Sequence, residues 1–375
     1  MEEELRAGTV LAGLTIRRKL GSGSFGITYL AEDNDSRVRY ALKEYFPTGY
    51  AMRGPNRDVS AQPARAQTFE RGLKSFFTEA ETLRSLPVVA GLVRVRGVFT
   101  RNGTAYCVME FVDGESLDRT LERCEREGKV IPEFWLVDFT LAIVDALATL
   151  HEARLIHRDI KPANVMIRRG AGPVLIDFGA ARRADLPPDD FSTLTGQYAP
   201  IEQMRLGWDA QAAQLREGPW TDIFALSVML YRIAAGERPP DAETRLRALR
   251  HARADCYVPL ARKLRTVGRA GHYSSWLTDL IDHGAGLFPA QRPPDAQSFA
   301  RPLRERAVHS WSGRDASDDA PTRIHSLAAP VPPPKPRRRR WRWMLPTVLV
   351  CLVVVAADIL SGGGVSGALS EWVPR

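Results

Sequence analysis

Gly21-Ser22-Gly23-Ser24-Phe25-Gly26 lies between two short β-like runs, Leu14-Thr15-Ile16 before it and Ile27-Thr28-Tyr29-Leu30 after it. That order excludes a large class of folds, because a G-x-G-x-x-G that cradles a dinucleotide opens a helix directly after its glycines. Here the following residues are β-branched and aromatic, which suit a pleated strand. The chain therefore reads strand, glycine loop, strand. Lacking Cβ atoms, such a loop lets its backbone come close to phosphates and fold down over them. Tyr40-Ala41-Leu42-Lys43 then reads as another strand carrying a cation. A lone lysine in a strand is ordinarily a solvated face residue, but at this distance from a glycine loop it is placed to meet phosphates.

A lysine in that role needs an acid to hold it. In the segment from Phe69 to Leu86 the apolar residues Phe69, Leu73, Phe76, Phe77, Ala80, Leu83 and Leu86 recur at three and four, which predicts an amphipathic helix. Glu79 precedes Ala80 and lies four before Leu83, so it shares a face with the apolar stripe. Glu81 points about 200° away from Glu79, toward water. Glu79 is the expected partner of Lys43.

Further on, residues 157–164 read His-Arg-Asp-Ile-Lys-Pro-Ala-Asn, and thirteen positions after that Asn comes Asp177-Phe178-Gly179. An isolated Asp-Phe-Gly reads blandly as a strand end and a turn. Together with the eight-residue string it supplies a carboxylate that can receive a hydroxyl proton, plus an Asn and a second Asp that can hold a magnesium ion. These are the polar parts that phosphoryl transfer from ATP requires.

With motifs from both halves in order, residues 14 to about 305 resemble a eukaryotic-like Ser/Thr protein kinase of the bacterial type. The resemblance implies an α+β, bilobal protein-kinase fold with a β-rich N-lobe and a helical C-lobe. It implies ATP and Mg²⁺ as cofactors, with Mn²⁺ an alternative, and protein substrates with Ser/Thr acceptors. The nucleotide site it implies uses Gly21, Ser22, Gly23, Ser24, Phe25, Gly26 and Thr28 of the glycine loop. Lys43 faces the phosphates, Ala41 and Met166 are ceiling and floor of the adenine slot, Met109 is the gatekeeper, and Glu110 and Val112 belong to the hinge. Asp159 would orient the acceptor hydroxyl and take its proton. Lys161, found at this position in Ser/Thr kinases, would neutralise phosphate charge alongside Lys43, which Glu79 holds, and Asn164 with Asp177 would bind the metal. His157 and Phe178 are read as internal packing, and Gly179 completes its tripeptide.

The same resemblance gives Asp222 the role of orienting the catalytic loop, and Glu202 with Arg292 an ion pair under the activation segment. Within that segment Ser192 and Thr193 are candidate autophosphorylation sites, whose phosphate Arg158 would dock. Thr195 is expected to hydrogen-bond Asp159 and Lys161. Some positions depart from the pattern: Thr28 stands where Val is usual, Gln197 where Gly is common, and Ala199-Pro200-Ile201-Glu202 replaces Ala-Pro-Glu. None of these removes a catalytic group. A pseudokinase or membrane-anchored scaffold is the alternative reading; pseudokinases usually lack the Lys, the catalytic Asp or the metal Asp, and all three are present. The polar, Pro/Gly-containing stretch from Glu44 through Pro63 lengthens the connection to the helix, and its role is not legible.

The net charge of +8 looks like a nucleic-acid signal until it is divided. Lys335, Arg337, Arg338, Arg339, Arg340 and Arg342 carry six of those charges, leaving about +2 for everything else, so no nucleic-acid partner is expected. The four cysteines lack zinc or C-x-x-C spacing, so reduced structural thiols are expected. The acidic start Met1-Glu2-Glu3-Glu4 lacks the positive region of a signal peptide. Residues 306–336 read as a Pro-rich disordered linker and 337–343 as a basic and Trp-bearing juxtamembrane segment. Met344–Leu360 is apolar but for Thr347 and Asp358, and at seventeen residues it sits at the short limit of a transmembrane helix. An interfacial helix is the blander alternative. The expected topology is single-pass in the cell membrane, with the kinase domain cytoplasmic, a tail at 361–375 beyond the membrane, and dimerisation open.

Overall fold

The computed structural model describes residues 4–177, 182–183, 196–204 and 209–311. Phe178, Gly179, Ser192, Thr193, Thr195 and everything after Trp311, the basic cluster and apolar run included, lie outside the described residues.

The first half builds an antiparallel sheet from Val10–Leu11 (β1), Leu14–Gly23 (β2), Gly26–Asp33 (β3) and Arg39–Tyr45 (β4). Later strands of the same sheet are Val95–Arg101 (β7) and Thr104–Glu110 (β8), giving the order β1-β2-β3-β4-β8-β7. Pairing of β2 with β3 runs through the glycines to Gly23↔Gly26, so only Ser24 and Phe25 form the turn, and bulges at Ile16/Arg18 and Lys19/Gly21 absorb the slip in register. Gly26 is required by packing, since a Cβ there would stand 2.0 Å from the Glu44 carbonyl oxygen.

Between β4 and the first helix the chain forms the hairpin Ala51–Arg53 (β5) with Val59–Ala61 (β6). The helix Ala66–Ser85 (α1) follows, and it buries Phe69, Ala80 and Leu83 on the predicted stripe. Tyr45 meets Phe69 and Phe76 with ring centroids 5.2 and 5.6 Å apart, which pins α1 to the sheet.

The connection from residue 44 to residue 65 has a physical role after all. Glu44 is fully buried and accepts from Arg53 Nη2 at 2.6 Å, Tyr29 Oη at 3.0 Å and Tyr106 Oη at 2.7 Å. A carboxylate stripped of water needs such partners, because an unpaired buried charge costs several kcal/mol. The hairpin thus delivers Arg53 to neutralise the residue next to Lys43. Tyr29 Oη in turn accepts from Leu5 N at 3.1 Å, so the folded unit begins ahead of residue 14.

The second half is helical. After Gly114–Ser116 (β9) come Leu117–Arg126 (α2), capped by the Ser116 side chain, and Glu133–Glu152 (α3). Three short strands follow, Leu155–Ile156 (β10), Val165–Arg168 (β11) and Pro173–Leu175 (β12), with Arg182–Arg183 (β13) pairing back on β10. The helices Pro219–Ala235 (α4), Ala242–Ala252 (α5), Leu260–Thr266 (α6), Ser275–Gly284 (α7) and Ala296–Trp311 (α8) complete the described chain. Every residue of α4 from Thr221 to Tyr231 is buried, as befits a helix apolar all round. Helix α3 is long and apolar enough to cross a membrane, but its apolar residues pack in this core. Helix α8 continues to Trp311, six residues past the end expected for the folded domain.

Candidate active site

Lys43 emerges from β4 opposite Thr28 of β3 and Cys107 of β8, and its ammonium, nearly buried, donates to Asp177 Oδ1. Glu79 lies on α1 as predicted, and its Oε1 accepts from Ser75 Oγ at 2.8 Å, four residues earlier. Glu81, the candidate set aside, pairs with Arg84 at 2.8 Å on a half-exposed surface. Periodicity put the right face of α1 inward, with Phe69, Ala80 and Leu83 buried.

The thirteen-residue spacing between Asn164 and Asp177 is the length of a hairpin. Strands β11 and β12 pair from Val165↔Leu175 to Ile167↔Pro173, and Ile176 N donates to the Asn164 carbonyl at 3.1 Å. The two residues expected to hold metal are thereby brought to one end of the same ladder. Asn164 Nδ2 donates to Asp159 Oδ2 at 2.9 Å and to the Asp159 carbonyl at 2.8 Å, which leaves its Oδ1 for another partner. Lys161 Nζ also binds Asp159 Oδ2, at 2.8 Å. Both contacts converge on one carboxylate oxygen, so Asp159 Oδ1 is the atom left to accept a proton.

The loop carrying these groups hangs from α4. Asp222, fully buried, accepts from the backbone N–H of His157 at 2.9 Å and of Arg158 at 2.8 Å, and its Oδ2 lies 2.9 Å from His151 Nε2. Arg158 adopts φ +69°, a left-handed conformation that costs a non-glycine residue about 1–3 kcal/mol. Asp222 on its N–H and Gln203 Nε2 on its carbonyl, at 3.0 Å, hold it there. Arg158 does not wait for a ligand: its Nε lies 2.9 Å from Glu217 Oε2. Glu217, His151 and Gln203 were invisible as site residues, since each depends on a fold contact across tens of positions.

Donor chemistry fits the group the sequence implied. Asp177 and Asn164 would offer a divalent cation one carboxylate and one amide oxygen, a sparse set of hard oxygen donors of the kind Mg²⁺ takes. Chain neighbours apart, Gly21 and Gly23 have no atom of the described residues within 4 Å of where a Cβ would stand, so the described packing leaves the space beside them open. Ala41 and Met166 are part-buried at the edge of the main core, as walls of a slot would be. Met109 is buried on β8 opposite Ala41, and Val112 lies past Glu110, where β4–β8 pairing ends, so the ladder does not consume its backbone groups. Glu110 itself ties the two halves together, its side chain accepting from Arg168 Nη2 at 2.7 Å. Burial pushes the nearby Cys107 thiol up to about 12, which makes it inert.

On the other side of Asp159 a cavity of about 420 Å³ opens between Lys161, Gln197, Tyr198 and Ala225. A few residues beyond Ala199, which lines this cavity, Glu202 pairs with Arg292, both side chains fully buried and joined by two bonds at 2.6 and 3.1 Å. That pair matches the sequence expectation.

Burial disfavours charge on His157 and lowers its pKa, outweighing the nearby Asp222. Asp222 differs: burial alone would raise its pKa, but the bonds from His151 and His157 hold it below the ordinary carboxylate range. Both groups bind fewer protons folded than unfolded, so both destabilise the fold as pH falls. His157 contributes first, below its unfolded value near 6.5, and Asp222 only below about 4, each by up to about 1.4 kcal/mol per pH unit. Urea titrations at pH 7.5 and 5.5 should show lower stability at 5.5; equal midpoints would contradict this account of His157.

Residues 14–303 match the family model described as protein kinase domain. The serine/threonine-protein kinase pkn2 of Myxococcus xanthus is 29% identical over 302 residues, 79% of this chain and 32% of that kinase. PknJ of Mycobacterium tuberculosis is 32% identical over 261 residues, 64% of this chain and 36% of its own length. The chain thus spans about a third of these relatives. Among solved structures, PpkA-294 in its apo form is 30% identical with a TM-score of 0.65, covering 80% of this chain and all of that one. The kinase domain of M. tuberculosis PknI, 22% identical, shares the fold with a TM-score of 0.54 over 81% of this chain and 99% of that one.

Proposed function

We propose that this chain, which belongs to the protein kinase domain family, transfers the γ-phosphoryl group of ATP to Ser or Thr hydroxyls of proteins. One observation carries the reading: Asp159 has one oxygen tied down by Lys161 and Asn164 and, among the described contacts, the other open, at the wall of a cavity of about 420 Å³. In that cavity Asp159 Oδ1 orients the acceptor hydroxyl and receives its proton as the oxygen attacks. Lys43 and Lys161 offset the negative charge of the phosphates, and Asp177 and Asn164 hold Mg²⁺. The metal supplies neutralisation of charge developing on the β- and γ-phosphates. Catalysis of this kind is positioning and electrostatics more than covalent chemistry. Lys161, two residues after Asp159, supports Ser/Thr over Tyr acceptors by family likeness. Incubating the purified full chain with γ-labelled ATP, Mg²⁺ and a generic protein substrate should yield phosphoserine or phosphothreonine; transfer to neither would sink the reading.

The membrane-facing part of the proposal rests on sequence. Residues 337–360 would anchor the chain with the kinase domain cytoplasmic, where ATP is, because basic residues stay on that side and each near the surface adds about 1 kcal/mol of attraction to anionic headgroups. Signalling at that membrane, with autophosphorylation at Ser192 or Thr193, follows from this reading. The full chain should sediment with membranes and resist alkaline carbonate, whereas a chain ending at residue 330 should be soluble. Release of the full chain by carbonate would favour an interfacial helix.

A further inference from the structure

Arg158 is one of the residues lining the acceptor cavity, yet its guanidinium is nearly buried, and what meets it there is a carboxylate of the same chain. Glu217 lies two residues before α4; its Oε1 accepts from Arg158 Nη2 at 3.1 Å and its Oε2 lies 2.9 Å from Nε. The side chains are 4% and 15% exposed, so the pair is shielded from solvent and salt. The start of α4 and the segment leading into it therefore grip the catalytic loop twice, through Asp222 on the backbone N–H groups of His157 and Arg158 and through Glu217 on the guanidinium. An arginine adjacent to the catalytic carboxylate must have its charge balanced in the low-dielectric interior, and phosphate on a neighbouring segment is one way to supply that balance. Here a fixed residue already supplies it.

We propose that Glu217 is a positioning residue, a built-in anionic partner for Arg158 that fixes the catalytic loop so that transfer does not require phosphate on the activation segment. This rests on the kinase reading above. It also revises what the sequence suggested for Arg158, since a phosphate arriving there would have to compete with Glu217.

The test uses the purified full chain, freed of phosphate by a Ser/Thr phosphatase that is then removed, with mass spectrometry to verify the phosphate-free state. The treated wild type should transfer phosphate without a lag, with kcat within about two-fold of the untreated protein. Glu217→Gln should lower kcat by about ten-fold or more with KM for ATP little changed, and Glu217→Asp should recover part of the loss. A treated wild type that is inactive and recovers only as phosphate returns would overturn the proposal. So would full kcat in Glu217→Gln, including the case where only its melting temperature falls, which would make the pair merely structural. If neither treated nor untreated wild type exceeds Asp159→Asn, the kinase reading itself has failed. Activity that ignores Glu217 sinks only the present inference.

Discussion

Replacing Asp159 by Asn should lower kcat by roughly 10²–10⁴-fold while leaving ATP affinity near its original value, the range expected when a general base is removed. The substitution keeps the shape, and the amide oxygen can still accept from Lys161 and Asn164, which now contact Oδ2 at 2.8 and 2.9 Å. What it removes is the proton acceptor at the remaining oxygen. Lys43→Met and Asp177→Asn should be comparably damaging for a different reason. These two groups bind each other across the cleft, and each would leave phosphate or metal charge uncompensated at the reacting centre. Their losses should include weaker nucleotide binding, measurable by calorimetry, whereas the Asp159 variant should bind ATP normally. Near-wild-type turnover in any of the three would show that the reacting groups have been misassigned.

The catalytic half of this site was legible because its residues are close in sequence. His157 to Asp177 spans one loop and one hairpin, and the spacing itself encodes the return of β12 along β11. The glycine loop was legible for the same reason, its two strands being consecutive. Legibility ended where a role depends on a distant partner. Strand alternation could have flagged Glu44: next to Lys43 it must face the opposite side, where an apolar sheet demands a cation. Nothing local, however, points to Arg53 reaching it through a separate hairpin. The helix that carries Glu79, and the face it presents, were legible from apolar spacing alone. Asp222, Glu202 and Arg292 were assigned through family resemblance, and the structure brings each to its expected partner although Glu202 and Arg292 are 90 positions apart.

Removing the charge of Arg292 should be the most destabilising single change in the helical half. Among the described residues, Arg292→Met would leave Glu202, with no exposed side-chain surface, facing only the Thr221 hydroxyl at 3.0 Å. It would also strip donors from the carbonyls of Gly286 and Leu287, both now at 2.7 Å. Breaking a buried pair from one side costs about 3–5 kcal/mol, because the surviving charge cannot be rehydrated. In a folded unit of this size that corresponds to a fall in melting temperature on the order of 10 °C. The double variant Glu202→Gln with Arg292→Met leaves no orphaned charge and should melt above the single variant, even though it has lost more polar contacts. A double variant less stable than Arg292→Met alone would mean that the carbonyl contacts, and not the ion pair, hold this part of the helical half in place. Activity should follow the same order, since Glu202 lies three residues after Ala199, which with Tyr198 lines the cavity that Asp159 faces.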